Sequence, residues 1–365
     1  MNLPGRIDRL APYVPMETVE AVCSRLGIAP DQIVKLDANE NPYGPSPRAR
    51  RALADLSFPH FYPDASSRAL REGLAGFTGA PVESLLAGAG ADELIDLLLR
   101  VLLEPGDRIL ISPPTFDLYA IHARLSGGVV VEVPRREGYR LDIPGLREAA
   151  LRERPKAIFV GSPNNPDGGL AQDGEIEALL GLPALIVLDE AYIEFAGESG
   201  GLGARLSRIR QAAERENLAV LRTFSKWAGL AGLRVGYGAF PAWLAEGMWK
   251  AKQPYNLSSA ASAAALATLE DLPVMAGRVQ RVQAERERMV RSLGRIRFLK
   301  PVPSQANFVL CAVVDRSALE VQSRLLERGI LVRAYTNRAL PNHLRIAAGR
   351  PQDTARLIQA LEEIE

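Results

Sequence analysis

Between about residues 48 and 265, short apolar runs alternate with stretches in which apolar residues recur every three or four positions. The runs at 108–111, 129–133, 157–160, 184–188, 219–221 and 235–240 are short and predict strands. The stretches 92–103, 117–125, 173–180 and 205–215 have the spacing of amphipathic helices, and Pro105-Gly106 stops the first. Fully apolar strands alternating with such helices predict an α/β fold with a mostly parallel central sheet covered by helices. Ligands of such sheets sit beyond the carboxyl ends of the strands. After a helix at 260–269 and a long charged one at 273–293, the texture changes. Short strands at 298–300, 308–310, 330–333 and 344–347, with helices at 317–328 and 351–365, predict a small α+β domain. The start of the chain is punctuated by Pro4, Pro12, Pro15 and Pro30, with room for one helix at 17–26. The segment 35–47 is dense in Asn, Pro and Gly and predicts a loop. The expected division is an N-terminal arm and linker (1–46), a large domain (47–268) and a small C-terminal domain (269–365).

Size agrees with that division, since 365 residues correspond to roughly two domains. Hydrophobic residues at 47% and charged residues at 24% are ordinary for a globular chain and exclude disordered, collagenous and disulfide-scaffold classes. Lys plus Arg number 44 against 43 Asp plus Glu, so there is no strong field to hold nucleic acid or an anionic membrane. The longest apolar run, 94–103, contains Asp96 and Arg100 and does not span a bilayer. Arg6, Asp8 and Arg9 stand where a secretory signal would need an apolar core. Cys23 and Cys311 lie far apart without CxxC spacing and read as reduced thiols, which points to the cytoplasm. His60, His122 and His343 are too scattered for a metal site.

Four strand ends carry the candidate chemistry. Leu85-Leu86-Ala87 runs into Gly88-Ala89-Gly90-Ala91-Asp92-Glu93 and a helix, where small residues let backbone N–H groups approach an anion. Strand 157–160 runs into Gly161-Ser162-Pro163-Asn164-Asn165-Pro166, a loop able to hold an Asn amide. Strand 184–188 runs into Asp189-Glu190-Ala191-Tyr192, and a carboxylate ending an apolar strand is costly without a cation or donor. Strand 219–221 runs into Arg222-Thr223-Phe224-Ser225-Lys226, with Arg234 eight residues beyond the lysine. A lysine in an apolar setting can lose its proton and act as a nucleophile, and an arginine can hold a phosphate. Taken singly, these features also read as a helix start, an Asn-Pro turn, a strand-end charge and a surface lysine. Together they match pyridoxal phosphate, an aldehyde bearing a ring nitrogen and a phosphate.

The segments SPNNP, LDEAY and TFSKWAGLAGLRVGYG resemble those of fold-type-I, pyridoxal-phosphate-dependent aminotransferases. The order from LDANENPYGPSP through FYPD and GAGADE to HLRIAAG is similar as well, most of all to the histidinol-phosphate aminotransferase family. The resemblance implies a large domain with a mostly parallel sheet, a small α+β domain and an N-terminal arm. It implies that Lys226 bonds the cofactor aldehyde and carries a proton, and that Asp189 pairs with the pyridinium nitrogen. Asn165 and Tyr192 are expected on the ring's 3-oxygen, and Phe116 stacked on the ring. Ala91, Asp92, Thr223, Ser225 and Arg234 are expected at the phosphate. Tyr62 is expected to reach the cofactor of a neighbouring subunit, which implies a homodimer. Tyr13, Asn39, Arg333 and Arg345 are expected to line the substrate pocket. Three positions depart from the family pattern: Phe116 replaces the usual Tyr, Asp167 follows the NNP segment in place of Thr, and His60-Phe61 precedes Tyr62. The implied reaction moves an amino group between L-histidinol phosphate and 2-oxoglutarate or glutamate, in histidine biosynthesis. An arginine pair suits a carboxylate equally well, so an aromatic amino-acid aminotransferase is the alternative, and a threonine-phosphate decarboxylase a more distant one.

Other classes explain less. A nicotinamide-dependent dehydrogenase lacks the third glycine, since Glu93 stands in its place, and leaves Lys226 and Asp189 idle. A serine hydrolase is suggested by Gly197-Glu198-Ser199-Gly200-Gly201, but no apolar strand leads into that serine.

Overall fold

A computed structural model describes residues 5–8 and 17–364. The strands are β1 (Val34–Lys35), β2 (Leu85–Gly88), β3 (Arg108–Ile111), β4 (Val129–Glu132), β5 (Ala157–Gly161), β6 (Leu185–Asp189), β7 (Leu218–Thr223), β8 (Gly236–Ala239), β9 (Leu299–Pro301), β10 (Phe308–Val313), β11 (Ile330–Leu331), β12 (Arg333–Asn337) and β13 (Leu340–Ala347). Seven form one sheet in the order β2-β8-β7-β6-β5-β3-β4. Only β8 runs antiparallel to its neighbours, so β2, β5, β6 and β7 all end on the same edge. The four loops with candidate chemistry therefore converge.

Both faces of this sheet are apolar, and alternate residues feed two cores. Ile158, Val160, Ile186, Leu188 and Val220 enter one apolar cluster. Phe159, Val187, Ala219 and Leu221 enter the other. The helices Ala91–Leu102, Leu118–Leu125 and Ala242–Ala251 contribute Leu94, Ile95, Leu98, Tyr119, Leu244 and Met248 to the second cluster. The first cluster continues through the helices Ser259–Leu269 and Leu272–Leu293 into Phe308, Ile346 and Leu357. It thus joins the large sheet to a four-stranded antiparallel sheet, β12-β13-β10-β9. β4 closes the large sheet as a partly exposed edge strand.

Three expectations change. The segment 205–215 is a series of turns with a 3-10 helix at Ile209–Ala213, not an α-helix. The Glu190 carboxylate accepts the Arg208 backbone N–H at 2.7 Å and the Ser207 hydroxyl, and such side-chain competition displaces a helical ladder. The single strand expected at 330–333 divides at Val332. Ile330-Leu331 pairs in parallel with β1, while Arg333 begins a strand antiparallel to β13. The helices Pro47–Ala54, Arg68–Thr78, Ile143–Glu153 and Ala242–Ala251 were not anticipated. Gly197–Gly201 lies in turns after the 3-10 helix Ile193–Phe195, not between a strand and a helix, so the hydrolase geometry is missing. Among the described residues no helix is long and apolar enough to cross a membrane, and no cluster of His, Cys, Asp or Glu could hold a metal ion.

Candidate active site

The site begins where β7 ends. Phe224 and Trp227 are fully buried, with rings 5.5 Å apart, and they anchor the turn that carries Lys226 between them. Lys226 Nζ donates to the Ala38 carbonyl at 3.0 Å. Burial, then the nearby Arg345 charge, lowers its pKa to about 8, with Glu40 and Asp92 opposing and Arg234 adding to the drop. About one amine in ten is therefore unprotonated at pH 7, far more than for an ordinary lysine, and the free amine is what a nucleophile needs.

Beside it lies a candidate anion cradle. The helix Ala91–Leu102 starts without a side-chain cap, leaving first-turn N–H groups for another acceptor. Gly90 has φ +88°, and a side chain there would collide with the Arg234 guanidinium. A Cβ at Gly236 would collide with the Ala91 nitrogen. Arg234 Nη2 meets Asp92 Oδ2 at 2.9 Å, and Nη1 donates to Ser225 Oγ at 3.2 Å. Thr223 Oγ1 donates to the same Ser225 oxygen at 2.9 Å. From the other side, Glu93 Oε2 accepts from Ala89 N at 2.5 Å and from Asn256 Nδ2 at 2.7 Å, fixing the loop.

The carboxylate of Asp189 ends β6, buried as its strand position requires. Burial raises its pKa, while two donors oppose that rise: Tyr119 Oη at 2.6 Å and Ala191 N at 3.0 Å. Tyr192 follows three residues later, with its hydroxyl accepting from Asn39 Nδ2 at 3.1 Å. Burial pushes the Tyr192 pKa up to about 12, against the Arg345 charge and the Asn39 hydrogen bond. Arg345 Nη1 donates to Asn165 Oδ1 at 2.7 Å and Nη2 to the Asp37 carbonyl at 2.6 Å. Its guanidinium lies 5.5 Å from the Phe308 ring and 5.9 Å from the Tyr335 ring. Arg333 is directly opposite Arg345 in the β12–β13 register. The buried Asn39 Oδ1 and Arg345 Nε have no hydrogen-bond partner, which marks this space as prepared for a polar guest.

The fold thus brings together Lys226, Asp189, Tyr192, Asn165, Asn39, Arg345 and Arg333, with Ala91, Asp92, Thr223, Ser225 and Arg234 at the cradle. Phe116 packs edge-on to Tyr119, with ring centroids 5.6 Å apart. Tyr62 stands apart from this group. It is 82% exposed and stacks on Tyr255 at 4.6 Å. Tyr13 lies outside the described residues. Asp167 closes its loop through Gly169 N at 2.7 Å and through Asn164 Nδ2, so the departure from Thr leaves the loop internally bonded. Sequence reasoning missed Tyr119, Glu93 and Asn307, whose Nδ2 holds the Asn39 carbonyl at 2.9 Å. Only Tyr119 left a signal, as an aromatic residue at the start of the helix expected over 117–125, three positions after Phe116. A half-buried amine of lowered pKa, a buried carboxylate and an arginine-lined cradle fit pyridoxal phosphate, which presents an aldehyde, a basic ring nitrogen and a phosphate.

Comparison with known proteins agrees with this chemistry. The sequence profile of the family "Aminotransferase class I and II" matches residues 31–361. The chain is 45% identical over 355 residues to a chloroplastic histidinol-phosphate aminotransferase of Nicotiana tabacum, covering 97% of this chain and 84% of that protein. It is 43% identical over 366 residues to a histidinol-phosphate aminotransferase of Roseiflexus castenholzii, covering 98% of this chain and 96% of that one. Its fold is similar to the crystal structure of histidinol-phosphate aminotransferase from Sinorhizobium meliloti in complex with pyridoxal-5'-phosphate. The TM-score is 0.88 at 26% identity, over 100% of this chain and 98% of that one.

Proposed function

The chain belongs to the class I and II aminotransferases, and from that membership we propose that it exchanges an amino group between L-histidinol phosphate and 2-oxoglutarate with pyridoxal phosphate as cofactor. Its place is then histidine biosynthesis, and its buried, unpaired Cys23 and Cys311 suit the cytoplasm. Pyridoxal phosphate, when bound, supplies an aldehyde carbon that bonds amines and a ring that withdraws electrons from the neighbouring carbon.

The residues divide the remaining work. Lys226 Nζ, with its pKa lowered to about 8, holds the aldehyde and then accepts and returns the proton of the substrate's Cα. Asp189, held by Tyr119 and Ala191, keeps a proton on the ring nitrogen by facing it with a negative charge. Asn165 and Tyr192 hold the ring's 3-oxygen, and Phe116 covers the ring. Arg234, Ser225 and Thr223, with the N–H groups of Ala91 and Asp92, hold the phosphate. Asn39, Arg333 and Arg345 bind the substrate.

The observation that carries the substrate reading is the arginine pair. Arg333 and Arg345 face one another across the hairpin, an unfavourable arrangement for like charges unless an anion lies between them. The hydrogen-bond partners of Arg345 are neutral, an amide oxygen and a backbone carbonyl, so its charge stays available. A guanidinium fork fits a phosphate and a carboxylate alike, so one pair can serve histidinol phosphate in one half-reaction and glutamate in the other. Two curated relatives of 43% and 45% identity with the same activity name favour the phosphate substrate.

A homodimer completes the proposal. Phe58, Phe61, Tyr62 and Tyr255 are 61%, 61%, 82% and 46% exposed, and such clustered aromatic surface supports this reading. Tyr62 would then reach the neighbour's phosphate.

The test is a visible-absorbance titration of the holoenzyme with no oxo acid present. L-Histidinol phosphate should bleach the cofactor band at lower concentration than L-phenylalanine. If only the amino acid bleaches it, the substrate moves to the aromatic class. Release of carbon dioxide from threonine phosphate would move it to a decarboxylase. Sedimentation should give twice the monomer mass, and a monomer that is fully active would end the Tyr62 proposal.

A further inference from the structure

We propose that Tyr119 is a positioning residue of this site: its phenol O–H orients the Asp189 carboxylate and keeps the shared proton on the cofactor's ring nitrogen. The inference rests on the reading of Asp189 as the ring-nitrogen partner and adds a residue that the sequence did not single out.

The geometry leaves the phenol little choice. Tyr119 is 1% exposed on the helix Leu118–Leu125, and its oxygen lies 2.6 Å from Asp189 Oδ2. Its ring stacks on Phe159 at 4.9 Å and meets the edge of Phe116 at 5.6 Å, so the hydroxyl cannot swing elsewhere. Gly161 on β5 pairs with Asp189 across the strands, and the Tyr119 oxygen lies beside it: a Cβ there would be in ordinary contact with Tyr119 Oη at 3.6 Å. The Ala191 N–H holds the other carboxylate oxygen at 3.0 Å. With one donor on each oxygen, the carboxylate is fixed in orientation and still has lone pairs for a third donor.

The chemical effect follows from competition for one proton. Asp189 and the ring nitrogen are two bases facing each other, and the weaker one leaves the proton on the other. A donor to the ionised form makes a carboxylate a weaker base. In this buried place the Tyr119 O–H opposes the desolvation that would otherwise make Asp189 the better base. Burial, together with the adjacent Asp189 charge, drives the phenol's own ionisation far above the normal range, so the O–H remains a donor. Without it, the proton shifts toward the carboxyl oxygen and the ring loses the positive charge that draws electrons from the reacting carbon.

The test compares two probes on the apoprotein: pyridoxal phosphate, and the analogue in which carbon replaces the ring nitrogen. Tyr119→Phe keeps the ring packing and removes only the donor. The bond from Tyr119 is part of the protein's own structure, so the readout is where the proton sits: the nitrogen-15 chemical shift of ring-labelled pyridoxal phosphate should report a pyridinium in the wild type and move toward the neutral-pyridine value in Tyr119→Phe. Binding of the carbon analogue should change by less than about threefold, because it offers Asp189 no proton. An unchanged nitrogen shift would make Tyr119 dispensable, and a larger loss of affinity for the carbon analogue would make it merely structural; each result overturns the proposal. Tyr119→Met, of similar reach and without a donor, gives the same comparison if the Phe variant does not fold. A wild-type protein that binds neither probe would instead refute the cofactor reading itself.

Discussion

The lowered pKa of Lys226 is the most direct handle on the proposed chemistry. The lysine is half-buried, and burial together with the Arg345 charge lowers its pKa from 10.5 to about 8. A pKa that is lowered means that the proton leaves at lower pH. At pH 7 about one Lys226 in ten is then the free amine, against about one in three thousand for an unperturbed lysine, a ratio of ~300. A less basic amine is also a weaker nucleophile, so the midpoint, not the absolute rate, is the quantity to read. Formaldehyde with cyanoborohydride labels free amines, carries no titrating group in this range and is small enough to enter the apoprotein site. Peptide mass spectrometry then reads Lys226 alone, against a lysine peptide added as internal standard. The labelling rate at Lys226 should rise tenfold per pH unit up to about 8 and flatten above it. A rate that keeps rising beyond pH 9.5 would refute both the lowered pKa and the role of burial behind it.

Two further perturbations test the scaffold. Arg222→Met should destabilise the protein by about 3–5 kcal/mol in urea unfolding at pH 8, because Glu194, fully buried and bonded at 2.7 Å, is left as an unpaired charge. Glu194→Gln should cost clearly less, since the Gln amide oxygen can still accept from Arg222 and the Glu190 charge still faces that guanidinium; equal losses would contradict the ion-pair argument. Gly161→Ala would place a Cβ 2.9 Å from Asn164 Oδ1 and 3.2 Å from its Cα, and should cost about 1–3 kcal/mol by overpacking, read as a fall in melting temperature. An unchanged melting temperature would mean that the loop gives way freely.

The sheet was legible because its strands are apolar on both faces and short, so periodicity alone located β3, β5, β6 and β7 to within a residue or two. The helix Ala242–Ala251 escaped notice because its first buried residue, Leu244, follows Pro241 with no polar cap, and its small and aromatic residues blur the stripe. The helix Pro47–Ala54 buries only Ala49, so its basic residues mask the pattern. The stretch 205–215 failed in the opposite direction, since its spacing is helical and a distant carboxylate, Glu190, decides otherwise. Site residues that end a strand were readable one by one, as Asp189 and Lys226 are. Their partners were not. Tyr119 meets Asp189 across 70 positions and Asn165 meets Arg345 across 180, and only the fold creates those contacts.

The same contacts imply that substrate and base are coupled. Arg345 is the second-largest cause of the lowered Lys226 pKa, after burial, and it is also half of the proposed anion site. An anion on Arg345 and Arg333 cancels the charge that disfavours a protonated Lys226. The lysine should therefore become more basic when substrate is present, which is when a base is needed to take the Cα proton. Glutarate, a dicarboxylate with no carbonyl to react, isolates this effect. At saturation it should move the Lys226 labelling midpoint above 8, whereas Arg345→Gln should show a raised midpoint already and little response to glutarate. A wild-type midpoint that stays put while glutarate is bound would show that the two charges do not communicate, and the arginine would then be a substrate ligand and nothing more.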